Sequence, residues 1–278
     1  MRVTNSMPED VQPHKRIDAV LPAGGRIGGA FADVTGVGIK ALMEIDGQTI
    51  LRRTIDVLRA TGRIGRIVVV GPEQALSEAR ECGADAAVEE GATGPENNFR
   101  GLEWLQQNRD GCSSRVVIAT TDLPFLTPGA IIRFLNSCPP DADLVVPIMT
   151  SAAFEARFPD SINQYVRLRD GEFTIGCVFL VNPSTLLSNK AHIEQVFEAR
   201  KSQWQMAKLV GLPVALRFLS RQLTIEHIID RVSTILRCRG AAITDAPPEL
   251  AFDIDHLSEY EYVRSTVARC TEREKAAL

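Results

Sequence analysis

The chain has few of the features that assign a protein quickly. Its six cysteines, Cys82, Cys112, Cys138, Cys177, Cys238 and Cys270, are widely spaced and form no CxxC pair. That leaves no zinc or dithiol motif and points to reduced thiols, the usage of a cytoplasmic protein. The four histidines are scattered, so neither a histidine base nor a histidine metal cluster is indicated. No run reaches the roughly 18 apolar residues of a membrane helix, and the opening MRVTNSMPEDVQPHKR lacks the apolar stretch of a signal peptide. Positive charge is not in excess: the net charge is −4, which argues against a nucleic-acid partner. It leaves room for an anionic small substrate held by a few local cations. With 20 glycines and 15 prolines the chain is neither collagen-like nor of low complexity.

What is present is ordinary for a globular protein: 278 residues, 45% hydrophobic and 24% charged, enough to bury a core without disulfides or a structural metal. Residues 1–16 are polar and read as a flexible leader. Strands are expected at 17–21, 66–71, 86–88, 115–120 and 143–148, and helices at 48–61, 73–82, 97–108 and from Pro128. The alternation predicts an α/β fold, a three-layer Rossmann-like, mostly parallel sheet with helices on both faces. Residues 164–181 read as two strands around the turn RDGE, and LAFDI (250–254) as a last strand before a helix from Ser258. One domain is expected over 17–265, carrying a helical insertion at about 185–245, with 266–278 as a helix end and tail. The cations of the insertion read mainly as a solvated face. Arg200, Lys201 and Lys208 around Trp204 have the best claim to an acceptor, with Trp204 itself expected in the core. The turn near Gly176 and Cys177 reads either as a border of the acceptor site or as buried strand.

Three segments carry chemistry. In LPAGGRIGGAFADVTGVGIKAL (21–42) a buried strand ends in glycines, and Lys40 stands at the far end of the loop. Glycines let backbone N–H groups approach phosphates, and a lysine adds a mobile charge. No GK[ST] follows, so this is not a Walker A loop. Nor is it a dinucleotide fingerprint: the second strand ends at Gly71, about 45 residues after Gly25, far beyond the spacing that fingerprint requires. In TTDLPFLTP (120–128) Asp122 follows a buried strand, at the sheet edge where α/β proteins bind ligands. In FDIDHLSEYEYVR (252–264) Asp253 and Asp255 are also expected at a strand end. A phosphate loop, a lysine and acidic strand ends together describe a nucleotide–Mg²⁺ site. Carboxylates beside a triphosphate repel at about 4 kcal/mol per contact at 4 Å and an effective dielectric of 20, and magnesium removes that penalty.

These segments, in this order, resemble the MobA-like NTP transferases, nucleotidyltransferases of GT-A fold. LPAGG with Lys40, DLPFL at 122–126, the acidic segment 253–261 and GATGPENNFRGL (91–102) match the family's motifs. The resemblance implies an Mg²⁺-dependent transfer of an NMP group from an NTP to a phosphorylated small-molecule acceptor, with release of pyrophosphate. It implies that Pro22, Ala23, Gly24, Gly25, Asn97 and Gly101 hold the nucleotide. Lys40 and Asp122 would be catalytic, and Asp122 with Asp255 and Asp253 would hold the metal. The family's arginine after the glycines falls on Gly29, which makes Arg26 the candidate replacement, and its proline before the lysine falls on Ile39. The family's TPED is HLSE here, keeping an acid at Glu259. The alternatives are a catalytically inactive nucleotide-binding relative and an NAD(P)-binding oxidoreductase.

Overall fold

Alternation of apolar residues between two faces builds the centre of the sheet, in a computed structural model that describes residues 16–108, 114–199 and 202–276. Strand β1 (Ile17–Pro22) sends Ala19 and Leu21 to one face and Val20 to the other. A small hairpin, β2 (Glu44–Ile45) and β3 (Gln48–Thr49), precedes β4 (Ile64–Gly71) and β5 (Ala86–Glu89). β6 (Val116–Ala119) is wholly buried, as an inner strand of an α/β sheet must be. β4, β1 and β6 pair in parallel, with β5 parallel at the outer edge of β4. β7 (Leu144–Thr150) continues the sheet, followed by β8 (Val166–Leu168), β9 (Gly171–Ile175), β10 (Val178–Val181) and β11 (Gly240–Ile243). The nine-stranded sheet runs β5-β4-β1-β6-β10-β7-β9-β8, with β11 paired to β7.

Helices cover both faces. α1 (Gly29–Thr35) lies outside the core. α2 (Ile50–Ala60), α3 (Glu73–Glu81) and α5 (Pro128–Ser137) bury Leu51, Ile55, Leu76 and Phe134 on one face. α4 (Gly94–Gln107) buries Leu102 and Leu105 on the other. Its glycine Gly101 lets it lie close to the sheet, since a Cβ there would stand 2.4 Å from Val20 Cγ1. α6 (Ser151–Arg157) follows β7. Between β10 and β11 the chain forms α7 (Pro183–Ser188), α8 (Lys190–Ala199), α9 (Gln203–Val210), α10 (Leu212–Leu219) and α11 (Ile225–Leu236), and α12 (Leu257–Ala276) closes the fold. Lys190 fastens α8 to α4 through Glu103 and sits 5.4 Å from the Phe99 ring.

The α/β expectation holds, with three corrections. Residues 164–181 form three strands, not two: β8 and β9 make the expected hairpin, and β10 enters the sheet antiparallel between β6 and β7. Residues 250–254 are not a strand. Leu250, Ala251, Phe252 and Ile254 are all buried, but their backbone crosses strand ends instead of joining a ladder, with Leu250 O accepting from Cys177 N (2.7 Å) and Ile254 N donating to Asp122 O (3.1 Å). The last strand is the short, small-residue GAAI of β11, parallel to Leu144–Pro147. Trp204 is 69% exposed rather than in the core, with the Lys208 ammonium 5.2 Å from its ring. Arg200, Lys201 and nearly all of the expected leader fall outside the described residues.

Candidate active site

The chain leaves β1 for β4 on one side and later returns to β6 on the other, so the C-terminal ends of β1 and β6 flank a topological switch point. Both chemistry-bearing loops emerge there, tied by a hydrogen bond from Thr121 Oγ1 to Pro22 O at 3.0 Å. After Gly25 the chain makes an excursion and comes back: Arg26 bridges Ile39, Ile27 N donates to Gly38 O (3.1 Å) and Lys40 N to Gly25 O (2.9 Å). This pairing brings a lysine fifteen positions along the sequence against the glycines, and α1 fills the excursion. The turn out of α1 uses Gly36 in the left-handed region, φ 72.

Asp122 lies just past β6, and the segment 252–255 folds over it. An aromatic cluster sets the distance between them: Phe125 stacks on Phe158 (5.0 Å between centroids) and meets Phe252 edge-on (4.9 Å). One oxygen each of Asp122, Asp253 and Asp255 then lies within 4.8 Å of the others. The Lys40 ammonium sits among them, in contact with Asp255 and 3.5 Å from Asp122 Oδ2. Glu259 holds the start of α12 by accepting from the backbone N–H of Asp255 (2.5 Å) and His256 (2.7 Å).

The electrostatics are those of a cluster short of positive charge. Burial works against the Lys40 ammonium, but Asp122 and Asp255 outweigh it and hold its pKa above the ordinary value. Burial pushes the Asp122 carboxyl up, with Lys40 opposing. Its Oδ1 is buried and makes no hydrogen bond of ordinary geometry. Three carboxylates and one ammonium leave two formal negative charges, and a buried carboxylate oxygen with no hydrogen bond of ordinary geometry is a donor suited to a cation. Hard oxygen ligands in this number suit magnesium. The residues therefore fit that ion.

Asp253 gives a test of the cluster by pH. Burial first, then Asp122 and Asp255, push its carboxyl up to about 6. Between about pH 4 and pH 6 the native state binds a proton that the unfolded chain has released, so stability falls as pH rises through that window. Asp253→Asn is expected to melt higher than the parent at about pH 7.5, by on the order of 2 kcal/mol, and to match it near pH 3.5. Identical pH profiles of thermal unfolding would contradict the repulsive cluster.

Beside the cluster opens a cavity of about 960 Å³, lined among others by Pro22, Gly24, Gly25, Arg26, Lys40, Asn97 and Asp122. Asn97 is buried, with its Oδ1 accepting from Gly91 N at 2.7 Å. A Cβ on Gly24 would stand 2.5 Å from Glu90 Oε2 and 2.9 Å from Asn97 Nδ2. Both are side-chain ends that can yield, so Gly24→Ala is expected to keep the fold. It should lower nucleotide affinity at least about tenfold by displacing Asn97, and calorimetric titration reads it directly.

Asp253 and Asp255 stand beside this cavity without lining it, and two of the expected nucleotide-binding residues do not reach it either. Gly101 packs against Val20 and Val70 inside the fold, so its role is helix–sheet contact. The N–H of Ala23 already donates to Val70 O (2.7 Å) and has no proton left for a phosphate. Glu90 was not anticipated: it lines the cavity and pairs with Arg26, which also donates to Gly24 O at 2.8 Å. Its only signal was its position directly after a strand. Gly176 is closely packed, with a Cβ there 2.8 Å from Leu250 O, and Cys177 Sγ lies 3.9 Å from Asp253 Oδ2.

Residues 23–208 match the MobA-like NTP transferase domain. The chain belongs to the MobA-like NTP transferase family. This membership supports an enzyme, a nucleotidyltransferase, and sets aside the oxidoreductase alternative. A hypothetical transferase from Thermus thermophilus is similar over 88% of this chain and 99% of its own, at 31% identity and a TM-score of 0.76. A 4-diphosphocytidyl-2C-methyl-D-erythritol synthase from Anaerococcus prevotii shares the fold at 13% identity and TM-score 0.56, covering 92% of this chain and 97% of its own. So does a nucleotidyl transferase from Methanothermobacter thermautotrophicus, at 18% identity and TM-score 0.54, covering 92% and 99%. A search of curated protein sequences finds no significant match. No helix among the described residues is long and apolar enough to cross a membrane.

Proposed function

We propose that this family member is an Mg²⁺-dependent enzyme of the cytoplasm that transfers an NMP group from an NTP to a phosphorylated small molecule and releases pyrophosphate. The observation that carries the reading is the clasp of Asp122, Asp253 and Asp255 around Lys40, of which Lys40 and Asp122 line the cavity together with Gly24 and Gly25.

Gly24 and Gly25 keep side chains out of the way, so the triphosphate lies along the backbone. Asn97, held by Gly91 N–H, turns its amide nitrogen toward the base or ribose. The acceptor phosphate oxygen forms a bond to the α-phosphorus, the bond from that phosphorus to the β-phosphate oxygen breaks, and the electron pair leaves with pyrophosphate. Lys40 is charged throughout, and its stem lies against Gly25, so its ammonium can exchange Asp255 for an α-phosphate oxygen as negative charge gathers there. Arg26 offers a second cation at the rim. Asp122, Asp253 and Asp255 would hold magnesium, which when bound supplies charge neutralisation to the triphosphate. Positioning and electrostatics account for most of such catalysis.

The reading is tested by incubating the full chain with each of the four NTPs, Mg²⁺ and a small-metabolite extract, and measuring pyrophosphate release. Release with one NTP that stops on adding chelator is expected. NTP binding without release in any mixture would favour the inactive relative.

A further inference from the structure

The cavity has two unlike halves. The polar half is supplied by residues 22–40, 90–98 and 120–122. The other half is supplied by β9, β10 and the helices that follow, and every described lining residue from 175 onward is apolar: Ile175, Phe179, Leu186, Ile193, Val196 and Phe197 are the main ones. Phe179 and Leu186 pack partly against the core, but none of the six is fully buried, and Ile175 is 57% exposed. The cations of the helical insertion do not line the cavity among the described residues. Phe197 marks the boundary, lying 3.6 Å from where a Cβ on Gly94 would be, at the start of α4.

A cavity of about 960 Å³ is at the upper end of single-ligand sites, roughly 300–1,000 Å³, which leaves room beside a nucleotide. We propose that the apolar half receives the acceptor, and that the acceptor is a phosphate monoester with an apolar alkyl or aryl body. This inference rests on the nucleotidyl-transfer reading. A sugar phosphate would bring hydroxyls against a wall with no hydrogen-bonding side chain, so each would lose water and gain no partner. An apolar body gains there instead, about three- to fourfold in affinity for each methylene buried. The acceptor phosphate would stay at the boundary of the halves, beside Lys40 and Arg26.

The experiment titrates the full chain calorimetrically with the n-alkyl phosphates from ethyl to octyl and with glucose 6-phosphate. It is done with and without Mg²⁺ and a non-hydrolysable NTP analogue. The proposal expects the dissociation constant to fall about threefold per added methylene, and hexyl phosphate to bind more tightly than glucose 6-phosphate. Val196→Asn, on a half-buried position of α8, should flatten the series. A flat series with the parent protein, or glucose 6-phosphate binding as tightly as hexyl phosphate, overturns the proposal. The NTP analogue is also titrated alone with Mg²⁺ and read separately: its failure to bind would sink the nucleotidyl-transfer reading, while the alkyl series without nucleotide still decides what the wall accepts.

Discussion

Asp122→Ala is expected to lower kcat by about 10³-fold or more without unfolding the protein. Asp122 carries the most deeply placed carboxylate of the cluster, and its Oδ1 is buried with no hydrogen bond of ordinary geometry. No other carboxylate stands in that place: Asp253 and Asp255 come from a segment laid across it, joined by the bond from Ile254 N to Asp122 O. That bond uses the backbone carbonyl, so the substitution leaves it in place. Removing the side chain also removes a charge that burial opposes. The melting temperature should therefore stay level or rise, in contrast to a core substitution. Asp122→Asn keeps the volume and should be as inactive as the alanine variant. Steady-state pyrophosphate release and a thermal melt on the same preparations check both halves. Activity within tenfold of the parent would remove Asp122 from the reaction.

Lys40→Met is expected to have the second largest effect, a loss of roughly 10²- to 10³-fold in kcat with a smaller change in KM for the NTP. Methionine keeps most of the stem that packs on Gly25 and deletes only the charge. The second consequence has the opposite sign. In the free protein the ammonium occupies the mouth of the acidic cluster, touching Asp255 and 3.5 Å from Asp122. It therefore competes with any divalent cation that arrives alone. Deleting it should tighten Mn²⁺ binding in the absence of nucleotide, read by electron paramagnetic resonance of the free ion. A catalytic lysine with no contact to the metal site would move the first readout and not the second. Weaker Mn²⁺ binding in the variant would contradict the clasp.

The parts of this architecture that were legible beforehand are those written in local pattern. IDAVL, RIVVVG and RVVIAT each carry the continuous apolar signature of an inner strand, and the helices between them imply the parallel pairing that the sheet shows in the order β4-β1-β6. Asp122 was legible because a strand end in such a sheet is where ligands bind. What escaped depends on contacts distant in sequence. β10 lies antiparallel between β6 and β7, a pairing that nothing in VFLV declares. LAFDI reads like a strand because it is apolar but for Asp253 and sends Phe252 into the aromatic cluster, while its backbone serves Cys177 and Asp122. Gly101 follows a helix motif and was read with its neighbours as nucleotide-binding, yet the Cβ it lacks would meet Val20. Trp204 has the composition of a core residue and the position of a surface one. The apolar wall was invisible because its members come from β9, β10, α7, α8 and, through Leu236, α11, elements far apart in the chain.

The central claim is that the cavity beside Asp122 binds an NTP together with a divalent cation. The most direct measurement is a thermal-shift panel of ATP, GTP, CTP and UTP, each with and without Mg²⁺, on the parent and on Asp122→Ala. A ligand at a hundredfold its dissociation constant adds about 2.7 kcal/mol, or roughly 5 °C or more for a chain of this size. The account predicts a shift of that size for one NTP, dependent on Mg²⁺ in the parent and lost in Asp122→Ala. A shift that ignores Mg²⁺ and survives in the variant, or no shift with any NTP, would contradict it.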